Sequence, residues 1–126
     1  MPGPDELIPG NRSVSVGLND LLVVGAERSV VIRRNDSTTV AGKQAVMVEK
    51  DISITGNAEL ALTARKKIVI ESADSIEFVV GDASLVMKKD GTIILRGRDI
   101  TIEGSGKVNV KASGDLALKG AKVQQN

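Results

Sequence analysis

Few residues in this 126-residue chain belong to the types that carry out chemistry. The absence of Cys and His excludes disulfides, thiolate nucleophiles and the usual zinc ligands. The segment GSGK, Gly104 to Lys107, lacks both the glycine spacing and the following Ser or Thr of a phosphate-binding loop. Gly114-Asp115 does not belong to a calcium-binding nonapeptide repeat, because the Asp does not recur in register. The carboxylates are dispersed, so we expect no enzyme, no catalytic or metal site, and no cofactor.

The charge of the chain is nearly balanced, with 17 basic and 16 acidic residues. This balance provides no electrostatic attraction to nucleic acid, and the basic runs at Arg33-Arg34 and Arg65 to Lys67 predict solvated outer faces. The apolar runs are too short to span a bilayer, and Met1 to Gly10 lacks the apolar core of a Sec signal peptide. Phe78 is the only aromatic residue, which favours a thin, uniform interior of Val, Ile, Leu and Ala, typical of repetitive β structure.

The elements that organise this chain repeat every eight residues. Thirteen of fourteen consecutive positions at this spacing carry large apolar side chains, the exception being Thr38. A period this regular identifies an internal repeat. We predict that the thirteen residues point inward and form the core of a trimer: Val14, Leu22, Val30, Val46, Ile54, Leu62, Ile70, Phe78, Val86, Ile94, Ile102, Val110 and Leu118.

A second apolar column lies two residues after the first in the early octads and two residues before it from Ile52 onward. A shift of two residues keeps the same face of a strand, so the buried face is preserved. Small residues such as Gly56, Ala64 and Gly104 follow the main column, where glycine would allow a positive φ or a close backbone approach. Each octad is therefore predicted to be a short strand followed by a bend.

Two segments compete with this regular pattern. Residues 57–67, NAELALTARKK, have the composition of a helix, although their leucines fall on the octad columns. The segment KKDG, Lys88 to Gly91, predicts a hairpin turn and a local irregularity. In strict register Lys88 and Arg96 would point inward as rings of positive charge. Either a bulge turns them outward or they line an anion or water site on the axis.

The repeat can close a triangle in two ways. An octad with about five extended residues forms an edge of roughly 17 Å, and three such edges enclose an apolar interior. One chain could form a solenoid of about 24 residues per coil, but it would have fewer than five coils and would need polar caps. Three intertwined chains bring identical residues together on a threefold axis. We therefore predict an all-β fold, an intertwined homotrimeric triangular β-helix, or prism, built from octapeptide repeats.

Several segments carry a family resemblance. ISITG, residues 52–56, and DITIEGSGKVNVKASGDLALKGAKVQQN, residues 99–126, resemble the C-terminal triple-stranded β-helix of VgrG, the valine-glycine repeat proteins of type VI secretion. That β-helix is similar to the needle of contractile phage tail spikes, whose octads have the form V-x-G with five further residues. Ile102-Glu103-Gly104 and Leu118-Lys119-Gly120 match this form, and the resemblance covers about residues 11–126.

The resemblance implies a homotrimeric, membrane-puncturing spike of a phage-tail-like secretion apparatus that delivers effectors. It also implies three partners: a PAAR-repeat tip protein at the C-terminal end, a secretion tube protein, and transiently a target membrane. The tube protein would be joined through an N-terminal hub that we expect to be missing from this sequence. Such a spike would reside in the bacterial cytoplasm before firing, and would then be secreted or enter the target cell.

Two other functions are open at this point. A trimeric fibre or adhesin stalk would display a surface ligand site, and a single-chain β-helix enzyme would act on polysaccharide.

For the organisation of the chain we predict a linker or remnant at residues 1–10, the octad-repeat spike at residues 11–120, and a C-terminal end at residues 121–126. Fourteen octads at about 4.8 Å each would span on the order of 70 Å. The predicted contacts for the tip protein are Lys122, Val123, Gln124, Gln125 and Asn126.

Overall fold

The fold is described for residues 5–126 by a computed structural model, in which that part of the chain contains strands and bends and no helix. The predicted all-β class is therefore confirmed. The chain divides into two units, Met1–Ile54 and Thr55–Asn126. Of the predicted linker, residues 1–4 lie outside the described residues. Within the described residues, no helix is long and apolar enough to cross a membrane.

In the first unit the backbone bends once every eight residues. Between bends, side-chain exposure alternates: Val23 is 80% exposed and Val24 is 44% exposed, and the same contrast separates Met47 from Val48. An alternation of period two is the signature of extended backbone, in which successive side chains point to opposite sides. The period of the sequence is thus also the period of the backbone, with bends at residues 9–10, 17–18, 25–26, 33–34, 41–42 and 49–50.

The second unit begins and ends with the same pattern. Residues 57–67 follow the predicted octad pattern and not the competing helix, because this segment has bends at 57–58 and 65–66 and no helical turn between them. Tertiary pattern overrides the helix propensity of its Ala, Leu and Glu residues. Regular bends resume after a sheet that interrupts them, and in this unit they lie at residues 57–58, 65–66, 73–74, 98–99, 105–106, 113–114 and 121.

The interruption is a three-stranded antiparallel sheet. Strand β1 spans Ser75–Val80, β2 spans Ala83–Lys88 and β3 spans Ile93–Arg96, in the spatial order β1-β2-β3. Val80 pairs with Ala83 across the two-residue turn Gly81-Asp82. Gly81 has a φ of 52°, while Asp82 does not have a positive φ, which is the pattern of a type II′ hairpin turn with glycine first.

The second turn confirms the hairpin predicted at KKDG. The Gly91 amide donates to the Lys88 carbonyl at 3.0 Å, and the Lys88 amide donates to the Thr92 carbonyl at 2.9 Å. Gly91 has a φ of 90°, a conformation that residues with a Cβ rarely adopt. The Thr92 amide also donates to Asp90 Oδ1 at 3.0 Å. This is a hairpin loop in which a glycine with positive φ forms a bulge before the next strand, so the predicted irregularity is present.

Glycine serves a different purpose in the octads. Among the described residues only Gly81 and Gly91 have a positive φ, and both belong to the sheet. A Cβ placed on Gly104 would lie 2.8 Å from Val108 Cγ2 and 3.1 Å from the Lys107 carbonyl oxygen. A Cβ on Gly56 would lie 2.9 Å from the Glu59 carbonyl oxygen. These octads need glycine because the backbone of the next octad passes close to it.

Candidate functional site

The candidate site is the set of even-numbered apolar residues that recur through the octads, here called the apolar ladder. Outside the sheet, the main column is 59–75% exposed and the second column is 44–59% exposed. Intervening odd-numbered residues are more exposed, as at Leu21 (86%) and Val31 (79%). The ladder therefore lies on the more sheltered side of each segment, yet about half or more of each side chain remains accessible.

The chain exposes more than twice the surface that a compact folded protein of its mass exposes. The chain exposes 14467 Å² and has a mass of 13.2 kDa. A folded monomer of this mass exposes about 6,400 Å². None of the described residues is buried. A contiguous exposed apolar surface marks a site of association with another molecule. The apolar ladder is therefore a candidate interaction surface.

Backbone hydrogen bonds between segments are confined, in the described part of the chain, to residues 74–96. The remaining octads present amide and carbonyl groups that are free to pair with another backbone. Extended segments with open edges are templates for strand pairing with a second chain. The described octads therefore combine an exposed apolar side with open backbone edges.

The sheet separates three residues that the sequence placed in one column. With the observed pairing, Phe78 lies opposite Leu85, which lies opposite Leu95, so these three share one face. Val86 and Ile94 lie on the other face, because successive strand residues alternate sides. The two-residue turn between β1 and β2 is the cause, since it pairs even-numbered residues with odd-numbered ones. The trimer core assignment of Phe78, Val86 and Ile94 stays a prediction.

The two faces of the sheet differ in chemistry. The first, here called the apolar sheet face, is free of charged residues, whereas the second, the mixed sheet face, carries Glu77, Lys88 and Arg96. Lys88 and Arg96 are exposed, and they share their face with apolar neighbours as well as with Glu77. The apolar sheet face consists of Ile76, Phe78, Val80, Ala83, Leu85, Met87, Ile93 and Leu95.

The charged groups of the described residues form three exposed ion pairs. Lys89 Nζ lies 3.9 Å from Asp74 Oδ1, and the Lys89 amide donates to the Asp74 carbonyl at 2.9 Å, which closes the base of the sheet. Arg12 pairs with Glu6 at 3.8 Å, and Arg98 pairs with its neighbour Asp99 at 3.5 Å. Exposed pairs of this kind contribute little to stability. The hydrogen bond from the Thr92 amide lowers the pKa of Asp90.

The predicted tip contacts are all exposed. The backbone bends at residue 121, and the segment from Lys122 to Asn126 follows this bend with no helix or strand of its own. Val123, which is odd-numbered and breaks the parity of the ladder, is 64% exposed. Exposure makes these five residues accessible, and their role in binding a tip protein stays a prediction.

Sequence reasoning missed the first hairpin. Gly-Asp between the apolar runs EFVV and ASLV is itself a hairpin signal, because glycine at the first position of a two-residue loop favours a type II′ turn. This signal was overlooked because Phe78, Val86 and Ile94 lie at the eight-residue spacing of the main column. A test of parity on both sides of Gly81 would have found it: Leu85, Met87, Ile93 and Leu95 are odd-numbered and apolar.

Part of the chain is similar to a known spike protein. A segment of 35 residues is 51% identical to the type VI secretion system spike protein VgrG1b of Pseudomonas aeruginosa. This segment is 28% of the present chain and 5% of the length of that protein. No protein-family model matches the chain. The comparison supports a relation to VgrG proteins over this short segment.

Proposed function

We propose that three copies of this chain wind together into a triangular β-helix, which acts as the membrane-puncturing spike of a type VI secretion apparatus. The observation that carries the proposal is the apolar ladder: a periodic set of side chains that a single chain leaves about half exposed or more. The short similarity to a type VI spike protein supports the secretion context.

A trimer explains the exposed ladder better than another partner does. Each even-numbered Val, Ile or Leu is matched to itself when identical octads meet around a threefold axis, so the partner has the same period by construction. Full burial of such a side chain stabilises the assembly by roughly 1.5–3 kcal/mol. Repetition over many octads makes this the dominant favourable term, and the open backbone edges of each chain pair with those of its neighbours.

The mechanism we propose is mechanical. In a wound trimer the backbone hydrogen bonds between strands run from one chain to another, so no chain can separate without breaking bonds to the others. The eleven octads outside the sheet, at about 4.8 Å each, supply on the order of 50 Å of shaft. That length is shorter than the 70 Å expected from fourteen octads, because the sheet replaces three of them, and it is comparable to a bilayer of about 40–45 Å with its headgroups. No bond chemistry is part of this function.

The proposed partners and location follow from the spike. A PAAR-repeat tip protein would bind the C-terminal end through Lys122, Val123, Gln124, Gln125 and Asn126, and a secretion tube would carry the assembly. The target membrane is contacted only during passage. The protein would wait in the bacterial cytoplasm and would be found outside the cell, or in a target cell, after firing.

A capture experiment tests this function. The chain is immobilised and incubated with a purified PAAR-repeat protein, and a variant that lacks residues 121–126 serves as the matched control. We expect the full chain to retain the tip protein at a ratio of one tip to three chains, and the truncated chain to lose it. Equal retention by both chains, or no retention by either, contradicts a tip-bearing spike. Binding to surface glycans in the absence of tip binding would support the adhesin stalk.

A further inference from the structure

The repeat that builds the proposed spike leaves the alignment of its chains poorly defined. A chain displaced by one octad still places Val, Leu or Ile opposite Val, Leu or Ile at nearly every level, and it keeps the same face inward. Sequences with this redundancy specify the register of strand pairing weakly. A shaft assembled from octads alone would therefore form slipped trimers with uneven ends.

The sheet at residues 75–96 breaks this redundancy. It is the part of the described chain that satisfies its own backbone hydrogen bonds, through two hairpins and the contact between Lys89 and Asp74. Hairpins close in about 1–10 μs without a partner chain. The sheet can therefore form in each chain before assembly, whereas the octads need other chains for their hydrogen bonds.

The apolar sheet face is partly exposed in the part of the chain that the structure describes, with Ile76, Leu85 and Met87 half-buried. Phe78, Leu85 and Leu95 form one row across the three strands, and Ile76, Met87 and Ile93 form a second row. Phe78 is 49% exposed and Leu95 is 56% exposed. The first row lines a shallow concavity together with Val80 and Ala83, and Ser84 and Arg96 of the mixed sheet face contribute to its rim.

The apolar ladder is continuous with this face on both sides. In β1 the ladder runs without interruption from Ile68 and Ile70 into Ile76 and Phe78, all even-numbered. The first turn moves the apolar residues to odd positions in β2 and β3. An eight-residue spacing counted from the bend at residues 73–74 would place a bend at 97–98, but the bend lies at 98–99. After this shift of one residue, the ladder resumes at even positions with Ile100. From this pattern we expect the chain to keep one apolar surface through the sheet, although the parity of the numbering changes twice.

We propose that the apolar sheet faces of three copies of this chain pack against one another and fix the register of the trimer. The inference rests on the proposed function, because it presupposes that the octads wind around a threefold axis. A second copy is the occupant that fits: the face is free of charge, it continues the surface on which the octads associate, and three identical faces match only when the chains are level. In this arrangement the mixed sheet face, with Glu77, Lys88 and Arg96, would face solvent, and Val86 and Ile94 would leave the predicted trimer core.

A register assay on the full chain tests this proposal. The chain has no cysteine, so a single Val110→Cys substitution provides a reporter on the main column. In a level trimer three thiols meet near the axis, and mild oxidation links two chains of every three. In a trimer whose three chains are all displaced from one another, Cys at position 110 faces Ile102 or Leu118 and forms no link, whereas a trimer with one displaced chain still links its two level chains.

Two adjacent valines supply a matched pair of variants in this reporter background. Val80 lies on the apolar sheet face and Val79 on the mixed sheet face, and Val80 is the more exposed of the two, at 80% against 64%. Packing within one chain therefore predicts that Val79→Asp is at least as harmful as Val80→Asp. Packing between copies predicts the reverse, because only Val80→Asp brings three carboxylates together among apolar side chains.

We expect Val80→Asp to reduce the yield of disulfide-linked chains by about threefold or more, with the trimer mass retained, and Val79→Asp to leave the yield unchanged. Equal yields in the two variants, or a larger loss for Val79→Asp, would overturn the register role alone. If Val80→Asp prevents assembly altogether, the milder pair Val80→Ser and Val79→Ser is compared in the same way and decides the question. A parent chain that is monomeric without the reporter substitution would overturn the proposed spike itself.

Discussion

The substitution Ile102→Asp distinguishes a wound trimer from a lone chain with particular sensitivity. Ile102 belongs to the main column of the apolar ladder and is 74% exposed in a single chain. In a monomer, the change would therefore act as an ordinary surface substitution, worth within about 0.5 kcal/mol. In the proposed trimer it removes three isoleucines from the core and places three carboxylates around one axis.

The magnitude follows from the exposed fraction of Ile102. Because about three quarters of the side chain is available for burial by other copies, its loss costs about 1–2 kcal/mol per chain, or about 3–7 kcal/mol per trimer. The carboxylates add a further desolvation and repulsion penalty. The smaller figure alone weakens association at least about a hundredfold. Thr101→Asp is the matched control, because the same charge is introduced one residue away, on the side that the alternation turns outward.

Thermal unfolding and sedimentation of the three proteins measure the effect. We expect the Ile102→Asp variant to be largely dissociated at concentrations where the parent chain and Thr101→Asp remain associated. The introduced carboxyls would have a raised pKa in the trimer, so their penalty applies above the ordinary aspartate pKa of about 3.9 and fades as the pH falls toward it. Association of Ile102→Asp should therefore recover in acid. A variant that is as stable and as associated as Thr101→Asp at neutral pH would refute the inward assignment.

Three further predictions address the octad bend, the second hairpin and the C-terminal end. Gly104→Ala should lower the free energy of unfolding by about 1–3 kcal/mol per chain, because the new Cβ would meet Val108 and a backbone carbonyl. Gly106→Ala is the control and should be neutral or stabilising, because Gly106 has open space around it. Equal stability of the two variants in calorimetry would contradict the close approach of Val108 to Gly104. The Asp90 carboxyl should titrate below its ordinary pKa of 3.8, because it accepts a hydrogen bond from the Thr92 amide. The stability it contributes is then present above 3.8 and lost as the pH falls through the folded value; an NMR titration at or above 3.8 would be inconsistent with that bond. Val123→Asp should weaken capture of a PAAR-repeat protein by about tenfold or more without changing the mass of the assembly, and undiminished capture would remove Val123 from the tip contact.

Much of the local structure could be predicted from the sequence because it depends on short-range periodicity. The bend every eight residues follows from the recurrence of the apolar columns, and the hairpin at Lys88 to Gly91 follows from the turn preference of Asp-Gly. The first hairpin was missed for a physical reason. A turn of two residues exchanges odd and even positions between paired strands, so Val86 and Ile94 stayed on the numerical column while moving to the opposite face.

The contacts between octads, and the partner that would cover the apolar ladder, could be only partly anticipated from the residues. A glycine such as Gly104 is required by the close approach of Val108, a contact between neighbouring octads that spacing alone does not reveal. The apolar ladder indicates a partner with the same eight-residue period, but the period alone does not identify that partner. Its self-complementary period is what favours a second and third copy over an unrelated protein.

The mass of the purified chain in solution tests the central claim most directly. Sedimentation equilibrium at low micromolar concentration should give three times 13.2 kDa, about 40 kDa, with no dependence on loading. A mass of 13.2 kDa under the same conditions, from a chain that is folded and cooperative in its unfolding, would contradict the account.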